Sequence, residues 1–145
     1  MRVLAVDVGE RNIGIAVSDP TGTFASPVAV VKSVGPNRDV ARVIELAREQ
    51  EAQQIVVGIP ISLDGVRREQ AQRVEAFCDR LRAHADIPVV TWDERLTTVE
   101  AERRMREAGL SSRKRRERRD SAAAAVILQA YLESLRFDSS PRPAC

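Results

Sequence analysis

Apolar and polar positions follow two different periods along this chain, and the switches between them mark its elements. Val3-Leu4-Ala5-Val6 is an unbroken apolar run, the pattern of a strand covered on both faces, and it leads into Asp7. The chain turns through Gly9 to Asn12 and returns as a second apolar strand. Asp19-Pro20-Thr21-Gly22 has turn chemistry, and Ser26 to Val31 follows as a third strand. Short links between these three predict an antiparallel meander. From Asn37 to Gln53 the period changes: Val40, Val43, Ile44 and Ala47 fall at helical spacing. Ile55-Val56-Val57-Gly58 reads as a second buried strand, followed by a loop over Ile59 to Gly65.

The next helix, Arg67 to Ala83, places Ala71, Val74, Phe77, Cys78 and Leu81 on one side, with His84 at its exposed end. Ile87 to Trp92 is the last strand and runs into Asp93-Glu94. Thr97 and Glu100 form a capping-box pattern, so a helix is expected to Ala108, closed by Gly109. Ser111 to Arg119 reads as loop or frayed helix, and Asp120 opens an apolar, alanine-rich helix from Ser121 to Leu135. Residues 138–145 hold two prolines and two serines and are expected to be a disordered tail, leaving one domain over 1–137. The order β-β-β-α-β-α-β-α-α predicts an α/β fold whose mixed sheet is antiparallel in its first part, parallel in its second, and flanked by helices on both faces.

Composition adds limits to this picture. At 145 residues, 43% hydrophobic and 30% charged, the chain suits a compact domain with a sizeable core. No apolar run approaches the roughly 20 residues of a membrane-spanning helix, and the first residues lack the parts of a signal peptide. The expectation is a cytoplasmic protein with no membrane partner. Cys78 and Cys145 have neither metal-ligand spacing nor a disulfide framework. Net charge is only +2, but Arg103 to Arg119 holds nine basic and two acidic residues, a local +7 against −5 for the remainder. Such asymmetry is the footprint of a polyanion partner, with Arg113, Lys114, Arg115, Arg116, Arg118 and Arg119 as phosphate-binding candidates.

The chemistry lies in the acids. Asp7, the Asp93-Glu94 pair and Asp120 come from distant segments that the topology can bring to one sheet edge. Each also has a local explanation: Asp7 as a turn residue, Asp120 as an N-cap. Strand alternation sets Asp93 and Glu94 on opposite faces without choosing between them. Three crowded carboxylates repel, so either a proton or a cation must compensate. Mg²⁺ or Mn²⁺ suits an oxygen-only set, and such ions serve phosphodiester hydrolysis.

Ala5-Val6-Asp7-Val8-Gly9 with Arg11 to Asp19, Val57-Gly58-Ile59-Pro60 with Asp64-Gly65, Asp93-Glu94-Arg95-Leu96-Thr97-Thr98, and Asp120 through Gln129 together resemble the RuvX (YqgF) family over residues 1–135. The resemblance implies a ribonuclease-H-like five-stranded mixed sheet and metal-dependent phosphodiester cleavage. It also implies either processing of the 5′ end of precursor 16S ribosomal RNA or resolution of branched DNA at Holliday junctions. It carries the acidic site onto Asp7, Glu94 and Asp120, with Asp93 beside them. Arg11 and Arg95 are candidates for positioning substrate. Val66 departs from the small hydroxyl residue usual after Asp-Gly, which bears on that loop's phosphate contact rather than on the acids. Two other classes compete: an actin-like or sugar-kinase ATPase, which needs a second domain, and a non-catalytic ribosome or nucleic-acid binder. Either monomer or homodimer is compatible with the sequence; a four-way junction would demand two active sites.

Overall fold

A computed structural model describes residues 1–60, 65–97, 101–103 and 119–138. Five strands, β1 (Val3–Val8), β2 (Asn12–Ser18), β3 (Ala25–Lys32), β4 (Gln54–Ile59) and β5 (Val89–Asp93), form one sheet in the order β3-β2-β1-β4-β5. The first three pair antiparallel, while β4 pairs parallel with both β1 and β5. The expected meander and parallel half are therefore both present, and β1, apolar throughout its first four residues, is the central strand. Pro27 lies on the edge strand β3, opposite Ala16 at a register shift, where a missing backbone donor costs least.

Helices α1 (Pro36–Glu49) and α2 (Gly65–His84) cover one face of the sheet, and α3 (Arg119–Asp138) covers the other. The α1–α2 side buries branched aliphatics, among them Leu4, Val6, Ile13, Ile15, Ile55, Val57 and Leu81. On the α3 side the buried residues are small: Ala5, Ala16, Ala25, Ala124 and Ala125, with Val3, Val56, Leu128 and Leu132. Ala-rich faces let a helix approach the sheet closely. Gln129, only 1% exposed, ties that approach down by accepting from the Ala25 N–H (3.1 Å) and donating to the Thr23 carbonyl (3.2 Å).

Boundaries differ from expectation where capping chemistry intervenes. Helix α1 stops at Glu49 rather than Gln53, because Glu51 enters the left-handed region at φ 55° and the chain closes with the Glu51 N–H on the Arg48 carbonyl (3.1 Å) and the Ala52 N–H on the Ala47 carbonyl (2.9 Å). Strand β1 runs past Asp7 to Val8, so Asp7 sits inside the ladder opposite Gly14 rather than at a strand end. Helix α3 is already helical at Arg119, which removes the N-cap reading of Asp120. It also continues through Asp138, the first residue expected in the tail. Of the helix expected after Thr97, only residues 101–103 are described, and they are helical. The phosphate-binding candidates Arg113, Lys114, Arg115, Arg116 and Arg118 lie outside the described residues, as do 61–64 and 139–145.

Candidate functional site

In β1, alternation puts Val3 and Ala5 into the α3-side core and Leu4 and Val6 into the opposite one, so Asp7 belongs to the α3 side. Its cross-strand neighbour there is Gly14. One step beyond the Val6–Val57 pair of the β1–β4 register lies Gly58. Asp7, half-buried, is thus flanked by glycine on both neighbouring strands, so neither cross-strand partner brings a side chain of its own beside the carboxylate.

Gly58 has a second consequence. A Cβ built on it would lie 2.8 Å from Ile127 Cδ1, 3.1 Å from Glu94 Oε1 and 3.4 Å from Glu94 Cγ. The Glu94 side chain therefore occupies the space that any larger residue at 58 would fill, on the same side of the sheet as α3. Val90 and Trp92 of β5 pack into that α3-side core as well, which fixes the face on which Glu94 follows.

Asp93 goes elsewhere. Its carboxylate accepts from the Arg95 backbone N–H at 2.9 Å, capping the 3₁₀ turn Glu94–Leu96, and holds the Arg95 guanidinium at 2.7 Å. The adjacent guanidinium keeps the Asp93 carboxyl below the usual carboxylate range. Its side chain is 22% exposed, against 64% for Arg95, whose outer edge faces solvent. The opposite-face expectation for the pair is met, and the turn that Asp93 caps is the one that carries Glu94 over Gly58.

The direction of α3 places its start. Tyr131 donates from its hydroxyl to Gln54 Oε1 (2.8 Å) at the beginning of β4, whereas Ile127 meets Gly58 near its end. The helix therefore runs antiparallel to β4, and its first turn lies toward the carboxyl ends of β1, β4 and β5. Asp120 is seven residues before Ile127, about 10 Å along the axis at ~1.5 Å per residue. It shares the helical register of Ala124 and Ile127; its side chain, like that of Arg119, lies outside the described set. Among the described residues, no three His, Cys, Asp or Glu side chains gather as a metal group.

Arg11 stands exposed in the β1–β2 turn at this same edge. Gly9 makes that turn by a close approach of the chain to itself: its N–H donates to the Asn12 carbonyl at 2.9 Å, and a Cβ there would meet that oxygen at 2.8 Å. Sequence reasoning quoted Gly58 as part of a motif and missed what it makes room for. A glycine inside an otherwise β-branched run was the available signal.

A family model described as RuvX, Holliday junction resolvase, matches residues 1–134. A protein of Roseiflexus sp. (strain RS-1) named "Putative pre-16S rRNA nuclease" is 44% identical over 135 residues, 93% of this chain and 96% of that one. A protein of the same name from Clostridium novyi (strain NT) is 42% identical over 93% of this chain and 100% of its own length. Among solved structures, T. thermophilus RuvC in complex with a Holliday junction substrate superposes with a TM-score of 0.73 at 18% identity, covering 96% of this chain and 97% of that one. Fowlpox virus resolvase with its junction DNA gives 0.58 at 14% identity, over 93% and 99%. These structural likenesses show the fold, a RuvC-like, ribonuclease-H-like sheet. Residue-level identity over nearly the whole length carries the stronger conclusion: the chain belongs to the RuvX family, a family of nucleases.

Proposed function

We propose that this chain is a divalent-metal-dependent endonuclease whose site is built on Asp7, Glu94 and Asp120, and that its substrate is structured RNA of the kind found at the 5′ end of precursor 16S rRNA. The observation that supports this most is the row Gly14–Asp7–Gly58, across which Glu94 lies and toward which the first turn of α3 points. An all-oxygen donor set suits Mg²⁺ or Mn²⁺. Asp7, Glu94 and Asp120 would hold the ion, which when bound stabilises charge on the phosphodiester and lowers the pKa of water. The remaining work falls to the chain's own residues. Glycine at 58 leaves room for the Glu94 side chain to lie over β4 beside Asp7. Asp93 fixes Arg95 and the turn beneath Glu94, and Arg95 and Arg11 present guanidinium edges to the backbone on either side. The basic stretch Arg113 to Arg119 leads into α3, whose first residue is Arg119, and in this reading binds phosphate.

Relatives sharing 40–44% of residues carry the rRNA name, which favours RNA. The family description names the Holliday junction, so branched DNA is the second substrate to offer. The deciding experiment presents a precursor 16S 5′ fragment and a four-way junction side by side, with Mn²⁺, to wild type and Asp7→Asn. Wild type cleaves the RNA; the variant binds it but cleaves at least about 100-fold more slowly, exceeding the loss typical of residues one shell further from a metal. Unchanged turnover in Asp7→Asn overturns the site, and binding without cleavage by wild type under any divalent ion makes the chain a binding protein.

A further inference from the structure

The face of the molecule opposite α3 carries a groove that the proposed site does not use. It is made of two adjoining depressions, of about 340 and 510 Å³, that share Arg80. The first opens at the carboxyl edge of the sheet, where Val8, Gly9 and Glu10 follow Asp7 along the chain, and has Arg73 on its wall. The second continues between α1 and α2 past Asn37 to Arg48 and His84. Arg73, Arg80 and His84 fall seven and four residues apart on α2, so they form one exposed stripe along it.

The charges in this groove are unequally engaged. In the second depression Arg48 is paired with Asp86 at 3.1 Å; outside the lining, Arg82 is paired with Asp79 at 3.6 Å and Arg42 with Glu45 at 3.2 Å and Glu49 at 3.8 Å. Arg73 and Arg80 take part in no ion pair among the described residues; Arg80 has only a long 3.4 Å hydrogen bond to Asn37 Oδ1. Two acids line the first depression. Asp39 is 5% exposed and already accepts from the Ser33 hydroxyl (2.6 Å) and the Val34 N–H (3.0 Å), leaving Glu10 on the turn as the exposed one. No acid lines the second depression. Both α1 and α2 begin at the carboxyl edge, so the positive ends of their dipoles add to the field there.

We propose that this groove holds the phosphodiester backbone of a single-stranded flank of the substrate as it leaves the catalytic edge, gripped by Arg73 and Arg80. The inference rests on the nuclease reading above and extends it to the far side of the β1–β2 turn, where exposed Arg11 marks the crossing. Arg73 and Arg80 stand in one row along α2, and a single row of cations tracks one backbone. The grip is independent of sequence, because guanidinium groups on phosphate carry no base information and Phe77 in the lining is 7% exposed, too buried for a base to stack on.

The test uses fluorescein-labelled RNA hairpins carrying the cleavage site, alone or with a 15-nucleotide unpaired extension at either the 5′ or the 3′ end. Binding is measured by anisotropy without divalent ions. For wild type, one of the two extensions should tighten binding about tenfold, equally for oligo-U and oligo-A. In Arg73→Gln/Arg80→Gln that gain should fall below threefold. The log Kd against log salt slope should drop by about 1.4, from two lost single-strand phosphate contacts. Arg73→Lys/Arg80→Lys should keep most of the gain, which a purely structural role for the arginines would not predict. Both positions are exposed, and unchanged thermal midpoints verify folding. A full gain in the glutamine variant overturns the proposal. So does a wild-type dimer in sedimentation that the glutamine variant dissociates with the gain intact, since the groove would then seat a second copy. Because the gain is read without cleavage, it can fail while Asp7→Asn behaves as expected, and the reverse.

Discussion

The two faces of the sheet are built from different residues for different ends. On the α1–α2 side, leucine, isoleucine and valine form a continuous core that runs as far as Ile59 and Val8 at the carboxyl edge. On the α3 side, alanines bring the helix close, and of the two glycines beside Asp7, Gly58 makes room for the Glu94 side chain. Burial per residue is smaller there, because an alanine removes far less apolar area from water than a leucine. The first face is therefore the main source of stability, and the second positions carboxylates at some expense of packing.

The strongest way to break this comparison is to empty a site on the aliphatic face. Leu81 is fully buried in α2, and Leu81→Ala should cost about 2–5 kcal/mol of unfolding free energy in urea. Cleavage per folded molecule should stay at the wild-type level, as Leu81 belongs to the core on the other side of the sheet from Glu94 and Asp7. A loss of activity beyond the unfolded fraction would mean the faces are coupled.

Gly58→Ala probes the other side. The new methyl would sit 2.8 Å from Ile127 Cδ1 and 3.1 Å from Glu94 Oε1, an overpacking worth about 1–3 kcal/mol. Both stability and cleavage should fall. Adding Ile127→Val deletes the Cδ1 atom and should restore most of the stability while leaving cleavage low, because Glu94 is still displaced. Full recovery of cleavage in the double variant would show that the site does not need Glu94 in its place over β4.

These contrasts explain what could be read in advance. The mixed sheet and the two-sided helix arrangement followed from the succession of elements, marked by the unbroken apolar run Val3–Val6 and the helical spacing of Val40, Val43, Ile44 and Ala47. The acids were visible as the few carboxylates next to apolar strands, yet the choice between Asp93 and Glu94 was not. Which of the two lies over β4 depends on a 3₁₀ turn held by Asp93 and on the room that Gly58 leaves for the Glu94 side chain, and neither leaves a periodic trace. Gln129 was hidden for a related reason: a polar residue on an apolar helix looks like surface until the Thr23 and Ala25 backbone groups that it satisfies are known. The end of α1 escaped because Glu51 adopts φ 55° without being glycine.

The smallest effect expected comes from the far end of the α3 side. Asp19 organises the β2–β3 turn: its carboxylate accepts from the Thr23 and Phe24 N–H groups at 2.8 and 2.9 Å, and from the Thr21 hydroxyl. The Thr21 hydroxyl and the Phe24 N–H are foremost in holding its pKa down at about 2, against 3.8 for a free aspartate. A carboxyl whose folded pKa is depressed adds stability that is present above the unfolded value and is lost as pH falls through the folded one. Wild type should therefore lose part of its urea resistance between pH 4 and pH 2. Asp19→Asn should be destabilised at pH 7 by less than about 1 kcal/mol, since the turn is screened by solvent. Its stability should also change less than that of wild type over the same acid range. The turn residue Thr23 also accepts from Gln129, so any loosening would be transmitted to the middle of α3 rather than to the aliphatic core. An identical acid profile for the two proteins would assign the acid sensitivity to carboxylates other than this one.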